Sequence, residues 1–168
     1  MTRRLSINDL VEKNFGWLRE KEDENVEFLY DGSLPRIYTT AEAHDGPVEL
    51  ESRLPFSLNY AFFVLMEELQ VHGRGNKRII TLFDGDKQVV NLDHQGPQIP
   101  LDKLAFINET IQLVLGGERL SLAPKSRFAP HGTRMIARCL RRFGGDYAII
   151  NIDDDGYSVR SIVQVPLG

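Results

Sequence analysis

The sequence predicts an α+β fold built on a mostly antiparallel sheet, and three observations carry that expectation. Two β-rich pairs, Lys77 to Phe83 with Lys87 to Leu92 and Tyr147 to Ile152 with Tyr157 to Val165, are joined by short acidic turns holding Gly85 and Gly156. Hairpins of this kind pair their strands antiparallel. Phe56 to Leu69 is a dense apolar run too long for a strand, and Pro55 suits a helix start. Met135, Ile136, Cys139, Leu140 and Phe143 share one helical face ahead of Gly144-Gly145, which supplies a left-handed C-terminal stop.

Taken in order, Ser6-Ile7-Asn8-Asp9 reads as an N-cap with a carboxylate three residues on, and Ile7, Leu10, Val11 and Leu18 recur at helical spacing. This predicts a first helix ending near Arg19, followed by a solvated charged run from Glu20 to Glu24. Val26 to Tyr30, Arg36 to Thr40 and Val48 to Leu54 are short strand candidates, broken by Asp31-Gly32 and Asp45-Gly46-Pro47. The buried helix at Phe56 to Leu69 and the first hairpin come next. Leu101, Leu104, Ala105, Ile111 and Leu115 continue at helical intervals up to Gly116-Gly117. The polar stretch from Glu118 to Pro130 breaks regular structure and reads as a lid, before the last helix and the closing hairpin.

The 168 residues and 42% hydrophobic content fit a single domain over 1–168, with residues 1–54 as an N-terminal helix and edge strands and 55–168 as the main body. No run has the length of a membrane span, and the basic start at Arg3-Arg4 lacks the apolar stretch of a signal peptide, so a cytoplasmic protein with no membrane partner is expected. The one cysteine, Cys139, excludes an internal disulfide framework and sits among apolar helix residues as an inert thiol. A net charge of −4 argues against nucleic acid as a partner, because phosphate neutralisation needs a concentrated positive surface.

Three stretches punctuate the main body: Glu67-Glu68-Leu69-Gln70-Val71-His72-Gly73, then Asp93-His94-Gln95-Gly96-Pro97-Gln98-Ile99-Pro100, then His131-Gly132-Thr133-Arg134 leading into the Gly144-Gly145 helix. With these motifs in this order, Pro55 to Leu167 resembles the ATP-binding domain of histidine kinases, in the GHKL ATPase family that also holds anti-sigma-factor serine kinases. The resemblance covers about two-thirds of the chain. It implies a two-layer sandwich, with a mixed, mostly antiparallel sheet covered on one face by helices and an N-terminal helix added.

The resemblance also assigns roles. In the family's Glu-Leu-x-x-Asn helix motif the acid orients the chemistry and the Asn holds Mg²⁺. Glu68 and Leu69 fit, but His72 stands at the Asn position, and imidazole suits a hard, oxygen-seeking cation poorly. In the Asp-x-Gly-x-Gly motif the carboxylate accepts a hydrogen bond from the adenine amino group and the glycines let backbone approach the ligand. Here Gly96-Pro97-Gln98-Ile99-Pro100 departs from the family's pattern at Gln98, His94 holds the Asp position, and Asp93 lies one residue early, where a one-residue shift restores the contact. The phosphate loop falls on Pro130-His131-Gly132-Thr133, with one glycine left and a proline that offers no N–H. The cofactor-site residues implied are therefore Glu68, His72, Asp93, His94, Gly96, Gly132 and Thr133.

A frame kept while its ligand-holding residues change predicts a noncatalytic protein-interaction module in signalling, with no cofactor. Its partner would be a response regulator, a kinase or a sigma-factor regulator, and a homodimer is compatible with the sequence. Arg134, Arg138, Arg141 and Arg142 lie opposite the apolar stripe of the last helix as a docking row for an acidic or phosphorylated partner, or as a plain solvated face. Two alternatives stay open. One is an active ATP- and Mg²⁺-dependent serine kinase using Glu68 as acid/base. The other is a metal protein in which His72, His94 and His131 bind Zn²⁺. His44 sits in a turn-like Ala43-His44-Asp45-Gly46 loop and does not match a phosphoacceptor helix.

Overall fold

The computed structural model describes residues 4–22, 26–30, 37–39, 58–85, 87–117 and 131–166. Along the chain these form β1 (Arg4–Ser6), α1 (Ile7–Glu22), β2 (Val26–Tyr30), β3 (Ile37–Thr39), α2 (Leu58–His72), β4 (Arg74–Asp84), β5 (Lys87–Gln95), α3 (Leu101–Leu115), α4 (His131–Arg142), β6 (Asp146–Asp154) and β7 (Tyr157–Pro166). The strand expected at Val48 to Leu54, Pro55 and the polar stretch from Glu118 to Pro130 lie outside the described residues.

A five-stranded sheet runs in the order β2-β4-β5-β7-β6. The β2 pairing with β4 is parallel and the other three pairings are antiparallel. Both hairpins form where the glycine-bearing acidic turns place them, and each strand runs past its expected end. Gly85 and Gly156 take φ of 64° and 86°, which an L side chain adopts only under strain. A separate antiparallel pair joins β1 to β3.

Alternation along the strands sorts residues between two faces. Ile79, Val90, Leu92, Tyr147, Val163 and Val165 point toward the helices and join the core with Leu10, Phe15, Phe62, Leu65, Ile111, Ile136 and Leu140. α2 packs against α1 on one side and α4 on the other, and α3 packs against α4 and β6. The molecule is thus a two-layer α+β sandwich with helices on one face of the sheet.

Each helix end near the site has a visible stop. After α4, the Gly145 N–H donates to the Leu140 carbonyl (2.9 Å) and the Gly144 N–H to the Arg141 carbonyl (3.1 Å), with Gly144 at φ 68°. This is the paired closure that a left-handed glycine permits. At the end of α2 the Gly73 N–H caps Leu69, and a β-carbon on Gly73 would come within 2.3 Å of the Leu69 carbonyl oxygen.

The outer strand β6 would leave a row of unpaired backbone groups, a template for unwanted pairing. A side-chain amide covers it at Ile149. Asn108 of α3 donates to the Ile149 carbonyl (2.7 Å) and accepts from the Ile149 N–H (2.9 Å), so one side chain stands in for a neighbouring strand. Asn151 makes the reciprocal pair with the backbone of Ile99, at 2.8 and 2.9 Å.

Candidate functional site

A cavity of about 290 Å³ opens between α2, the loop after β5 and the start of α3. Its floor is apolar: Leu65 and Leu69 from α2, Leu92 from β5, Ile107 from α3, and Ile149 and Val159 from the last hairpin. Its polar lining includes Glu68, His72, His94, Thr133, Tyr147 and Ser161. All three motif stretches therefore reach one cleft, as their resemblance implied.

Glu68 reaches across from α2 to the first turn of α4. A β-carbon on Gly132 would lie 2.1 Å from Glu68 Oε1 and 2.8 Å from its Cδ, so any side chain there would displace the Glu68 carboxylate. One turn on, His72 Nε2 stands 3.4 Å from Glu68 Oε2, with its own side chain 61% exposed. Burial raises the Glu68 pKa above the ordinary carboxyl value; the nearby His72 acts in the opposite direction and Glu67 adds to the rise.

His94 lines the same cleft from β5, half-buried. Its Nδ1 lies 2.7 Å from the Gln95 carbonyl and 3.4 Å from the Arg74 N–H, two contacts that ask opposite roles of one nitrogen. The shorter decides: a carbonyl only accepts, so Nδ1 carries the proton and Nε2 is an acceptor. Burial, with Lys77 and His72 nearby, lowers the His94 pKa and favours this neutral ring, against the opposite pull of the Gln95 carbonyl and Asp93.

Asp93 is a correction. As a strand neighbour of His94 it faces the other side of the sheet, is fully buried and does not line the cavity. Its Oδ1 accepts from Arg160 Nε (2.7 Å), and its Oδ2 accepts from Arg78 Nε (3.0 Å), Arg78 Nη2 (2.7 Å) and Arg160 Nη2 (2.9 Å). Asp154 takes a further bond from Arg78 (2.9 Å), and the Tyr157 ring lies 4.3 Å from the Arg78 guanidinium carbon. Burial works against the Arg78 charge, but the bonds to Asp93 and Asp154 more than reverse it and its pKa rises. The period-2 rule puts residues 93 and 94 on opposite faces, so only one of them could serve the cleft.

The remaining sequence-derived residues divide. Thr133 is buried in the cavity wall, and Gly96 adopts φ 112° in the loop beside it. His131 starts α4, but its side chain lies outside the described residues. Among the described residues no group of three or more His, Cys, Asp or Glu is arranged to hold a metal ion. The arginine row is shorter than expected, because Arg134 is buried at 8% exposure while Arg138 is half-buried and Arg141 and Arg142 are exposed. The turn of α4 at Arg134 still faces inward, beside buried Thr133, Ile136 and Ala137. Arg141 lies over the end of α3, where a β-carbon on Gly117 would meet its Nη2 at 2.7 Å.

Cys139 is fully buried, and burial pushes its thiol up to about 12, as an inert core thiol requires. Sequence reading missed Tyr147 and Ser161 from the last hairpin, together with Arg74 and Lys103, all on the cleft's lining. The inward parity of the last hairpin was the available signal for the first pair.

No protein-family model matches the chain, and no curated protein matches it. Solved structures do. The catalytic domain of histidine kinase ThkA superposes with a TM-score of 0.62 at 14% identity, over 99% of this chain and 97% of that one. The mycobacterial sensor histidine kinase MprB gives 0.57 at 13% identity, over 99% and 97%. The histidine kinase domain of the E. coli osmosensor EnvZ gives 0.60 at 10% identity, over 100% and 91%. Among the described residues no helix is long and apolar enough to cross a membrane. The chain has the fold of histidine-kinase catalytic domains.

Proposed function

We propose that this chain is a noncatalytic signalling module that keeps the kinase-like sandwich as a protein-docking scaffold and does not use Mg²⁺-ATP. The observation that carries this reading is the fate of Asp93. The carboxylate nearest the adenine position is buried on the far face of the sheet, with both oxygens bonded to Arg78 and Arg160, and a neutral histidine faces the cleft instead. A ring nitrogen that accepts one bond does not replace a carboxylate fixed for the adenine amino group. Support also comes from the metal position, where His72 replaces an oxygen ligand for Mg²⁺.

The domain would span 1–168 and act in the cytoplasm. Names such as sensor and osmosensor among the superposing kinases point to a signalling circuit with a response regulator, kinase or sigma-factor regulator as partner. Arg138, Arg141 and Arg142 are the guanidinium groups placed to meet its acidic or phosphorylated surface.

Glu68 favours one second reading, an active serine kinase, because a half-buried carboxyl with a raised pKa is what a general base needs. Radiolabelled ATP with Mg²⁺, incubated with the chain alone and with candidate protein acceptors, separates the two. The docking module leaves label in ATP. Transfer or hydrolysis that disappears in Glu68→Ala would establish the kinase instead.

A further inference from the structure

The face of the sheet turned away from the helices carries a pattern of its own. Counting in steps of two from Asp93 and across the strand register places Leu29, Ile80, Asn91, Ile162 and Ala148 in one row that crosses all five strands from β2 to β6. The neighbouring row on one side holds Leu82 and Val89, and the row on the other holds Arg78, Asp93, Arg160 and Ile150. The helices send their buried apolar residues into the core on the opposite face, and Val89, although buried, is not part of that core. An antiparallel sheet with one solvated face alternates apolar-in with polar-out. Here the outer face is apolar too: Leu29 and Ile150 are 44% and 37% exposed on the two edge strands, and Ile80, Leu82, Ala148 and Ile162 are half-buried between them.

Charge and hydrogen bonding say what fits this face. Arg78 and Arg160 are matched by Asp93 and Asp154, so the middle of the face carries no net charge and favours an apolar partner over an acidic or a basic one. Its one unmet polar group is Asn91, 8% exposed, whose Oδ1 is buried without a hydrogen-bond partner. Asn91 sits on β5, the third of the five strands, and in the middle of the three rows. A two-fold axis lying parallel to the sheet at its centre, along the strands or across them, therefore sets Asn91 opposite its own copy. An amide carries both an acceptor and donors, so two facing copies serve each other once the amide turns about its soft terminal torsion. That is the self-complementarity a closed two-fold interface requires.

We propose that this face is the interface of a homodimer, in which a second copy of the chain packs sheet against sheet about a two-fold axis at Asn91. Five strands about 4.8 Å apart and three rows extending over about 13 Å give, with the width of the side chains, a footprint on the order of 500 Å² per copy. The total of about 1,000 Å² stands at the lower limit for a specific interface, so the dimer is a reversible one of micromolar affinity. The helices stay on the outside of both copies. The pair then presents two clefts and two sets of Arg138, Arg141 and Arg142, and a partner with two matching sites engages both at once.

Sedimentation velocity of the full chain, from about 1 to about 100 µM, tests this. The native chain should pass from its own mass to twice that mass with a midpoint on the order of 10 µM. Leu29→Lys combined with Ile150→Lys changes two side chains that are already exposed, and should weaken association about tenfold or more. Ile162→Lys, in the middle row, should leave only the single chain at the highest concentration. Phe63→Lys, on the exposed side of α2, is the control and should leave the midpoint where it was. Circular dichroism checks that each variant is folded, and if Ile162→Lys is not, the exposed pair decides. A native chain that stays single at the highest concentration overturns the proposal. So does a midpoint that the sheet variants leave unmoved, or one that Phe63→Lys moves as far as they do.

Discussion

Replacing Asp93 with alanine should cost fold stability and leave nucleotide behaviour unchanged. The substitution removes four charge-assisted contacts of 2.7 to 3.0 Å and leaves two guanidinium groups on a face where the Arg78 and Arg160 side chains are only 9% and 20% exposed. Arg78 keeps Asp154 at 2.9 Å, but the Asp154 side chain is 57% exposed and cannot replace a fully buried partner. Breaking one side of a buried ion pair costs about 3–5 kcal/mol. Domains of this size lose about 2–4 °C per kcal/mol, so the thermal midpoint should fall by roughly 6–20 °C. Urea unfolding and thermal unfolding, each followed by circular dichroism, measure the two quantities. Because the penalty comes from stranded charge, Asp93→Leu combined with Arg78→Met and Arg160→Met should recover most of it. A loss below about 1 kcal/mol for Asp93→Ala, the value of an exposed ion pair, would refute the view that this network is desolvated.

Further predictions concern the cleft and its supports. The folded-state pKa of Glu68 is raised above the ordinary 4.5, so the folded protein binds this proton more tightly than the unfolded chain and loses stability as pH rises through the interval between the two values. Glu68→Gln should therefore raise the melting temperature at pH 7, with the gain fading as pH falls through that interval toward 4.5; a gain that grew with acid would contradict the sign. Gly132→Ala places a β-carbon 2.1 Å from Glu68 Oε1 and should displace that carboxylate at a cost of about 1 kcal/mol, the low end for overpacking. In a Glu68→Ala background the same substitution should become neutral or stabilise by about 0.5 kcal/mol, and a double-mutant cycle in chemical denaturation would reveal any failure of that coupling. Asn108→Leu strips Ile149 of both its hydrogen bonds to the Asn108 side chain and should cost about 2 kcal/mol, with concentration-dependent association through the opened β6 edge on size-exclusion chromatography. An unchanged midpoint and elution volume would show that α3 does not guard that edge.

Much of this architecture was legible because its signals are local. The acidic glycine turns at Gly85 and Gly156 announce hairpins, and the Gly144-Gly145 stop forms the expected pair of backbone bonds. The motif stretches also converge on one cleft. Strand parity was the rule left unapplied: it places Asp93 behind the sheet whenever His94 faces the helices. The partners Arg78 and Arg160 lie 15 and 67 residues away in sequence, so nothing near Asp93 reveals that its oxygens are taken. Arg134 was misplaced for a related reason. A helix wheel locates the apolar stripe but does not show how far neighbouring helices wrap around it, and at Arg134 they reach past the stripe. The cations Arg74 and Lys103 carry no motif, and only folding brings them to the same cleft.

Isothermal titration of the full chain with ATP and excess Mg²⁺ tests the central claim most directly. On the proposed reading the cleft should show no saturable heat up to a concentration on the order of 1 mM, where even a binding energy of about −4 kcal/mol would register. A dissociation constant in the micromolar range, weakened by His94→Ala or Glu68→Ala, would contradict the account and restore the nucleotide to this site.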